Sequence, residues 1–330
     1  MTSTTPQIPI GSGFKASSTA EDVVQGIDLH GKNILVTGGY SGLGAETVRV
    51  LLKAGAHVFV PARDVARAKK ATVGAGADAA IVEYMDLGKH ETVAAYAAAF
   101  LARDIPLHVL INSAGIMNLP TLQKDSRGFE LQFATNHLGH FQLTLLLKPA
   151  LVKANGARVV SVSSFGHTFD TVHLDDVNFE HREYNGVSAY AQSKAANVLF
   201  ALELDKRWQN EGIRAFSLHP GIIVDTGLAK HTSAEMLKSF GAVDAEGKTI
   251  HDPELFQFKN VHEGAATQVF AGVHPKLNGL GGAYLENSEI TYTVGHAELK
   301  KPNGGAAPHA LDHDLAKKLF DLSDKWVFGN

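Results

Sequence analysis

Residues 33–44 read NILVTGGYSGLG, an apolar run that leads directly into a cluster of glycines. The run at 33–37 has the length and the Val, Ile and Leu content of a buried strand. Apolar residues then recur at helical spacing over 45–54. Glycine tolerates positive φ and lets the main chain approach a ligand, and the free N–H groups at a helix start suit a pyrophosphate. The stretch predicts a dinucleotide-binding turn, with a plain tight turn as the alternative.

Strand and helix patterns alternate along most of the chain. Buried strands are predicted at 57–61, 80–84, 107–111, 158–162, 213–218 and 283–286. Helices are predicted at 20–26, 65–73, 90–102, 126–154 (with a candidate bend at Pro149), 189–208, 261–273 and 312–326. Continuous apolar strands separated by helices indicate a parallel sheet covered on both faces. The sequence thus predicts a single-domain α/β protein, a doubly wound Rossmann fold with a parallel sheet flanked by helices.

The pattern also divides the chain into three parts. Residues 1–30, rich in Thr, Ser, Pro and Gly, are predicted to be an N-terminal arm. Residues 31–290 form the catalytic domain, in which the mixed-polarity stretch 222–260 is the candidate substrate lid. Residues 291–330 are a C-terminal extension that packs on the same domain. We see no internal repeat and no second core, so one domain is expected.

Composition excludes several classes of protein. The 330 residues are 45% hydrophobic and carry a formal net charge of −4, so no basic surface suggests nucleic acid. The absence of cysteine excludes disulfides, thiolate metal sites and cysteine nucleophiles. The first residues lack the apolar segment of a signal peptide, and no run approaches the length of a membrane helix. We therefore expect a cytoplasmic protein with no membrane and no nucleic-acid partner.

A tyrosine, a lysine and a serine pair supply candidate chemistry. The pattern Y-x-x-x-K occurs once, at Tyr190 and Lys194, where a helix is predicted, so both side chains share one helix face. The strand at 158–162 leads into Ser163 and Ser164. Carbonyl reduction needs a proton donor beside the oxygen, and a nearby ammonium lowers the pKa of a tyrosine by favouring phenolate. A serine hydroxyl at the sheet edge can hydrogen-bond the substrate oxygen.

These motifs resemble a known superfamily. The spacing T-G-x-x-x-G-x-G at 37–44, together with Y-x-x-x-K, resembles the ordinary short-chain dehydrogenases/reductases. The stretches NHLGHF at 136–141 and SKAANVLF at 193–200 resemble its retinol-dehydrogenase-like branch, which includes WW-domain oxidoreductases. The resemblance covers about residues 28–290. It implies hydride transfer between a nicotinamide and a small-molecule aldehyde, ketone or secondary alcohol.

The resemblance also assigns four catalytic residues. It implies Tyr190 as the proton donor or acceptor, Lys194 as the partner that also holds the nicotinamide ribose, and Ser164 as the assisting hydroxyl, with Ser163 as the runner-up. Asn136 matches the asparagine that positions a water linked to the lysine. Asparagine is unfavourable inside a helix, so a simple kink is the alternative for Asn136.

The cofactor contacts implied by the resemblance lie at the strand ends. They are Gly38, Tyr40, Ser41, Gly42, Leu43, Gly44, Arg63, Asp86, Leu87, Asn112, Ala114, Gly115, Tyr190, Lys194, Pro220, Gly221, Ile223 and Thr226. Arg63 follows the second strand, where NAD-specific relatives carry an acid, and an arginine can pair with a 2′-phosphate. NADP is therefore the expected cofactor and NAD the alternative. Arg63 as a solvated residue, with Asp64 as a helix N-cap, is the other interpretation. Asp225 stands where relatives commonly carry a threonine, and Thr226 follows it. The assignment of Ile223 and Thr226 as cofactor contacts therefore assumes that the family pattern is shifted by one residue here.

Some interpretations stay open. The insert 165–189 predicts either a partly aromatic mouth of the site or an ordinary surface excursion. A homodimer or homotetramer would pair through 126–154 and 189–208, unless the tail 291–330 covers that surface. A non-catalytic NAD(P)-sensing protein is the alternative function, although such proteins normally lose the tyrosine or the lysine. Histidines with ligand-like spacing occur at His137/His140 and His309/His313, but we expect no metal because no carboxylate triad accompanies them.

Overall fold

The glycine-rich turn lies near the middle of one twisted sheet in the computed structural model. The model describes residues 5–224, 226–228, 234–239, 241–244, 246–254, 257–298 and 304–329. The strands are β1 (Asn33–Val36), β2 (His57–Ala62), β3 (Ile81–Tyr84), β4 (Val109–Asn112), β5 (Ala157–Val162), β6 (Ile213–His219), β7 (Tyr284–Glu286) and β8 (Glu289–Ile290). Their order is β3-β2-β1-β4-β5-β6-β7-β8, and the first seven are parallel. The predicted α/β fold with a parallel sheet is confirmed.

Strand β8 was not predicted from the sequence. It runs antiparallel to β7 and is joined to it by Asn287 and Ser288, which both have positive φ, at 54° and 57°. Two consecutive residues with positive φ make the kind of tight turn that suits a hairpin. A strand of two residues is too short to show a period of two, so the pattern carried no signal for it.

Helices cover both faces of the sheet. They are α1 (Ala20–Val24), α2 (Gly42–Lys53), α3 (Val65–Gly74), α4 (His90–Leu101), α5 (Leu131–Phe133), α6 (Gly139–Leu146), α7 (Lys148–Lys153), α8 (Gly186–Trp208), α9 (Ala234–Ser239), α10 (Val261–Val273) and α11 (His313–Phe328). Side chains alternate along each strand. In β1, Ile34 and Val36 therefore enter the core beneath α2 and α10, whereas Leu35 enters the core beneath α4, α6 and α8.

The single helix expected at 126–154 is wrong in its bounds and its continuity. It begins at Leu131, after Glu130 accepts a hydrogen bond from the Phe133 N–H as its N-cap. The turns at Ala134–Leu138 are π-helical. A break at Leu147 then separates α6 from α7, and Pro149 lies in the first turn of α7. Proline has no N–H to bond the preceding turn, so it is tolerated at a helix start and not inside a continuous helix.

The two terminal segments lie against the sheet and its helices. The Gln7 side chain donates to the carbonyl oxygens of Tyr284 and Thr291 and accepts from the Tyr284 N–H. At the other end, Phe320 of α11 packs among Phe141 and Phe200, with ring centroids 4.9 Å and 6.1 Å away. The tail thus covers the α6 and α8 face through which pairing of two chains was considered. The proposed division into arm, domain and extension stays a prediction.

The described residues also bear on the membrane and metal questions. None of the helices in the described ranges is both long and apolar enough to cross a membrane. Across the same ranges, His, Cys, Asp and Glu side chains form no group of three or more that could hold a metal. His137 contacts Ser323 Oγ, and His309 Nε2 lies 2.8 Å from the carbonyl oxygen of His167. The cytoplasmic location stays a prediction.

Candidate active site

The glycine-rich turn leaves the carboxyl end of β1 and forms a cradle. Gly38 and Gly42 have φ of +70° and +49°, a region that favours glycine. A Cβ on Gly44 would overlap the Gly38 carbonyl oxygen, so α2 can begin directly against the turn only with glycine there. Ser41 precedes α2, but in the described part of the chain its hydroxyl makes no capping hydrogen bond, and the first turn of α2 carries no acid. The helix start therefore offers N–H groups to an anion such as a pyrophosphate.

One buried threonine joins the turn to the neighbouring strand end. The Thr37 Oγ1 accepts hydrogen bonds from the N–H groups of Ser113 and Ala114, at 2.9 Å and 3.0 Å. It also lies 2.9 Å from Nε2 of the buried His140. Since β1 and β4 are adjacent at the point where the strand order reverses, their loops border the crevice in which such folds bind ligands. Sequence reasoning missed Thr37 and His140 as contributors.

The two uncertain cofactor positions lie beside the turn. The Thr226 Cγ2 would be 3.3 Å from a Cβ on Gly42. The Ile223 side chain and the Leu43 side chain both pack on Gly264 of α10, at 2.8 Å and 2.7 Å from a Cβ built there. Ile223 and Thr226 therefore reach the predicted cofactor turn despite the shifted spacing. Asp225 lies outside the described residues.

The loop after β6 has a close neighbour. Gly221 has φ of +102°, and a Cβ there would lie 2.7 Å from Lys259 Cδ and 3.1 Å from the Gln257 carbonyl oxygen. The Ile222 N–H donates to that same carbonyl at 2.8 Å. Pro220 and Gly221 are thus held by the returning end of the 222–260 segment. The lid function of that segment stays a prediction, and part of it lies outside the described residues.

The other predicted cofactor contacts differ in how deeply they are buried and in their hydrogen-bond partners. Asp86 is half-buried and accepts from the Gly88 N–H, and Leu87 is buried with its carbonyl against Gly139. The Asn112 side chain is fully buried and donates to Thr144 Oγ1, so only its main chain faces the crevice. Tyr40 is half-buried on the glycine-rich turn.

Arg63 lies where the sequence analysis expected it, just beyond β2. Its side chain is exposed and makes no ion pair with any residue that the structure describes. Asp64 accepts a hydrogen bond from the Arg67 N–H and is the N-cap of α3. Asp64 is therefore an N-cap, and among the described residues the Arg63 guanidinium still has no ion-pair partner. The two features are compatible.

Tyr190 and Ser164 meet at the carboxyl edge of the sheet. The Ser164 Oγ accepts from the Gly166 N–H at 3.1 Å and lies on the same side of that turn as the Tyr190 ring, since a Cβ on Gly166 would be 3.5 Å from the oxygen. Burial raises the pKa of Tyr190 to about 12, and the bond from Ser164 acts in the opposite direction. A Cβ on Gly166 would be 3.2 Å from the Tyr190 ring, so this turn lies directly on the phenol.

Lys194 lies one helical turn beyond Tyr190, with its Nζ 5.5 Å from the centre of the tyrosine ring. The Nζ donates to the Val162 carbonyl oxygen at 3.0 Å, and burial lowers the pKa of Lys194 to about 8. Lys194 thus faces the ring and not the phenol oxygen. The expected lowering of the Tyr190 pKa by Lys194 is therefore absent, because burial of the phenol dominates.

Asn136 completes the group from within the π-helical turns. Its Nδ2 donates to the Ile116 carbonyl and to Ser193 Oγ, and its Oδ1 accepts from the Ile116 N–H, all at 2.9 Å. A Cβ on Gly115 would lie 3.3 Å from Asn136 Oδ1 and 3.6 Å from Lys194 Nζ, so the three residues are neighbours. π-helical turns inside helices are frequent at functional sites. The helix irregularity and the position of Asn136 beside Lys194 therefore occur together, and the catalytic role of Asn136 stays a prediction.

The insert between Ser164 and Tyr190 contains both buried and exposed side chains. His167 and Phe179 are buried, whereas Phe169 is 52% exposed and lies edge-on to Phe165, at 5.2 Å between ring centroids. Phe165 and Phe169 form an aromatic pair in this insert, and the choice between an aromatic mouth and a surface excursion stays a prediction. Sequence reasoning missed the buried contacts of His167, since nothing in its spacing marks them.

Comparison with known proteins gives the class of the chain. The family described as short chain dehydrogenase matches residues 32–237. A "Probable oxidoreductase" of Streptomyces lividans is 40% identical over 298 residues, covering 89% of this chain and 97% of the relative. The "Short-chain dehydrogenase TIC 32 B, chloroplastic" of Brassica napus is 36% identical over 330 residues, covering 96% and 95%.

A solved structure is similar over nearly the whole chain. The crystal structure of an uncharacterized Mycobacterium paratuberculosis protein has a TM-score of 0.70 and 30% identity, and covers 94% of this chain and 97% of its own. The chain belongs to the short-chain dehydrogenase family. It is an oxidoreductase of that family, as the motifs predicted, while the retinol-dehydrogenase-like branch stays a prediction.

Proposed function

We propose that the chain is an NADP(H)-dependent oxidoreductase that moves a hydride between the nicotinamide and a carbonyl or alcohol carbon, with Tyr190 as the proton donor or acceptor. The observation that carries the proposal is the grouping of Ser164 and Lys194 around the buried Tyr190: a Cβ on Gly166 would contact both the Tyr190 ring and Ser164 Oγ, and Lys194 Nζ lies 5.5 Å from the ring centre. Membership of the family supports the reaction class.

Tyr190 and Ser164 have different roles in the proposed proton transfer. A bound nicotinamide would supply or accept the hydride at its ring. In the direction of reduction, the Tyr190 hydroxyl gives its proton to the substrate oxygen, and the Ser164 hydroxyl stabilises the phenolate by donating to it. In the direction of oxidation, the phenolate takes the proton back.

The glycine cradle and the exposed Arg63 support the choice of cofactor. The main chain of the turn at Gly38 to Gly44 and the uncapped start of α2 would hold the pyrophosphate. The unpaired guanidinium of Arg63, just beyond β2, would pair with a 2′-phosphate, which only NADP carries. Lys194 and the loop at Pro220 and Gly221 would lie beside the nicotinamide ribose and ring.

The test compares wild type with Tyr190→Phe. Nicotinamide absorbance is followed with a panel of aldehydes, ketones and secondary alcohols, with NADPH and with NADH, and cofactor binding is measured by calorimetry. Tyr190→Phe should lose turnover by at least about 100-fold while binding NADPH within about twofold of wild type. Retained turnover would contradict Tyr190 as the proton donor. Tight cofactor binding by wild type, without turnover of any compound, would support the sensing protein instead.

A further inference from the structure

One peptide group next to the proton donor is held by two histidines. His167 Nδ1 lies 2.7 Å from the Ser164 carbonyl oxygen. The Phe165 N–H donates to His219 Nδ1 at 3.0 Å. That carbonyl and that N–H belong to the same peptide, between Ser164 and Phe165. Both polar atoms of this peptide are therefore bonded to imidazole rings, and the carbonyl oxygen also accepts from the His167 N–H at 3.1 Å.

The partners of each ring fix its protonation. A carbonyl oxygen only accepts, so His167 carries its proton on Nδ1, and its Nε2 accepts from the Ala307 N–H at 3.0 Å. His219 accepts on Nδ1, so its proton is on Nε2. Both rings are almost fully buried, and burial lowers the pKa of His167 to about 4 and that of His219 well below its usual range. Both rings are thus neutral at ordinary working pH.

The two rings approach from different parts of the chain. His219 ends β6 and immediately precedes Pro220 and Gly221. His167 lies in the turn after Ser164 and is bonded through Ala307 to the C-terminal segment. The segment is itself anchored, because the Gly305 N–H donates to the buried Glu286 carboxylate at 3.1 Å. His167 therefore links the Ser164 peptide to a segment that lies 140 residues further along the chain.

We propose that His167 and His219 are positioning residues, which hold the Ser164–Phe165 peptide so that the Ser164 hydroxyl points at Tyr190. The proposal rests on the proposed function, since it adds to the same proton route. The Ser164 Oγ accepts from the Gly166 N–H within the turn, and the two buried rings in addition fix the orientation of the peptide from which this turn begins. A catalytic group must be held near its productive geometry to be effective.

Two variants of His219 separate the hydrogen bond from the ring. Asparagine offers Oδ1 at the place of Nδ1, so His219→Asn keeps an acceptor for the Phe165 N–H, whereas His219→Leu removes it. We expect His219→Leu to lower kcat about 100-fold with KM for NADPH within about twofold. His219→Asn should retain most of the wild-type kcat. Equal loss in both variants would overturn the proposal.

Two variants of His167 separate its two bonds. His167→Asn keeps a donor for the Ser164 carbonyl and loses the acceptor for Ala307, and His167→Gln does the reverse. If the ring serves Ser164, then His167→Gln lowers kcat more than His167→Asn. The opposite order would show that the ring only fastens the C-terminal segment, which would overturn the proposal. Thermal melting of both variants shows that they are folded.

A double-mutant cycle distinguishes an effect of His219 through Ser164 from an effect through the loop at Pro220 and Gly221. Should His219 act through Ser164, then His219→Leu costs little further kcat in a Ser164→Ala background, because the group it positions is already gone. Additive losses would mean that His219 acts through Pro220 and Gly221, and would overturn the proposal.

A readout without turnover keeps the two proposals apart. Amide hydrogen exchange at Phe165 reports the bond to His219 directly. Protection should be lost in His219→Leu and kept in His219→Asn, whether or not a substrate is found. If wild type turns over none of the compounds, only the proposed function is contradicted. If the exchange rate at Phe165 is unchanged in His219→Leu, only the positioning role is contradicted.

Discussion

The Ser163 hydroxyl donates a hydrogen bond of 2.7 Å to the main-chain carbonyl of Lys194. Ser164 is next in the chain, but its hydroxyl faces Tyr190. Successive side chains leave an extended chain on opposite sides, so the end of β5 sends one serine inward and the next to the crevice. Ser163 therefore fastens α8 to the sheet edge, and Ser164 contacts the candidate proton donor.

The first prediction uses this pair of serines. Ser164→Ala should lower kcat about 100-fold, because the hydroxyl next to the phenol is lost, and should cost about 1 kcal/mol of stability, because that hydroxyl also accepts from the Gly166 N–H. Ser163→Ala should cost about 1–3 kcal/mol of stability, since it leaves the buried Lys194 carbonyl without that donor, and should keep turnover. Steady-state kinetics and denaturant unfolding measure both. Loss of turnover in Ser163→Ala alone would make the runner-up the catalytic serine.

The second prediction concerns the buried charge of Lys194. Burial lowers its pKa from the ordinary 10.5 to about 8 in the folded state. Between these values the unfolded chain binds more protons than the folded one, so this lysine makes stability rise as pH increases from about 8 to 10.5. Below pH 8 both states are protonated, and the charged lysine costs a constant amount of about 3 kcal/mol. Lys194→Met should therefore lose turnover and be more stable than wild type at pH 7.

Urea unfolding at a series of pH values checks that prediction. The stability difference between Lys194→Met and wild type should shrink as pH rises through the window from 8 to 10.5. Lys206→Met is the matched control, because Lys206 lies on the same helix with its side chain 54% exposed. A difference that stays flat across the window would mean that Lys194 is not desolvated in the folded protein.

The third prediction concerns Arg63. Arg63→Ala should weaken NADPH binding about 10- to 100-fold, because one charge-assisted contact to a phosphate is lost, and should change NADH binding by less than about twofold. Calorimetry with both cofactors measures this. Arg67→Ala is the control, since Arg67 is also exposed and lies one turn further along α3. Equal weakening of both cofactors would show that Arg63 does not contact the phosphate.

The fourth prediction concerns the start of α2. Gly44→Ala would place a Cβ against the Gly38 carbonyl oxygen, so α2 must move away from the turn. We expect a loss of about 2 kcal/mol or more in stability together with weaker NADPH binding. Gly74→Ala is the control, because a Cβ there meets nothing within 4 Å. Thermal melting and calorimetry measure both; unaltered cofactor binding by Gly44→Ala would place the cofactor elsewhere.

The local features of the fold could be predicted from the sequence. The strand and glycines at 33–44 and the Tyr190–Lys194 spacing depend only on residues close in the chain, and the structure has them at the same sheet edge. Ser164 lies near Tyr190 because the end of β5 is beside the start of α8. Each of these signals lies within one element or one turn, where periodicity is informative.

The remaining features depend on contacts between distant segments. The π-helical turns around Asn136 accompany its bonds to Ile116 and Ser193, which no local pattern reveals. The pKa of Tyr190 is raised and not lowered because of burial, which the spacing to Lys194 cannot show. The bonds of His167 to Ser164 and Ala307 likewise exist only in the folded chain.

The C-terminal helix α11 has a consequence for how the protein behaves on dilution. Its Phe320 packs against both Phe141 and Phe200, and its Asp321 pairs with Arg207 of α8 at 2.6 Å. Because α11 belongs to the same chain, the burial of this face is intramolecular and does not weaken as the protein concentration falls. A second copy that packed on this face of α8 would first have to displace α11. The apolar surface that a partner would otherwise cover is therefore already covered within one chain.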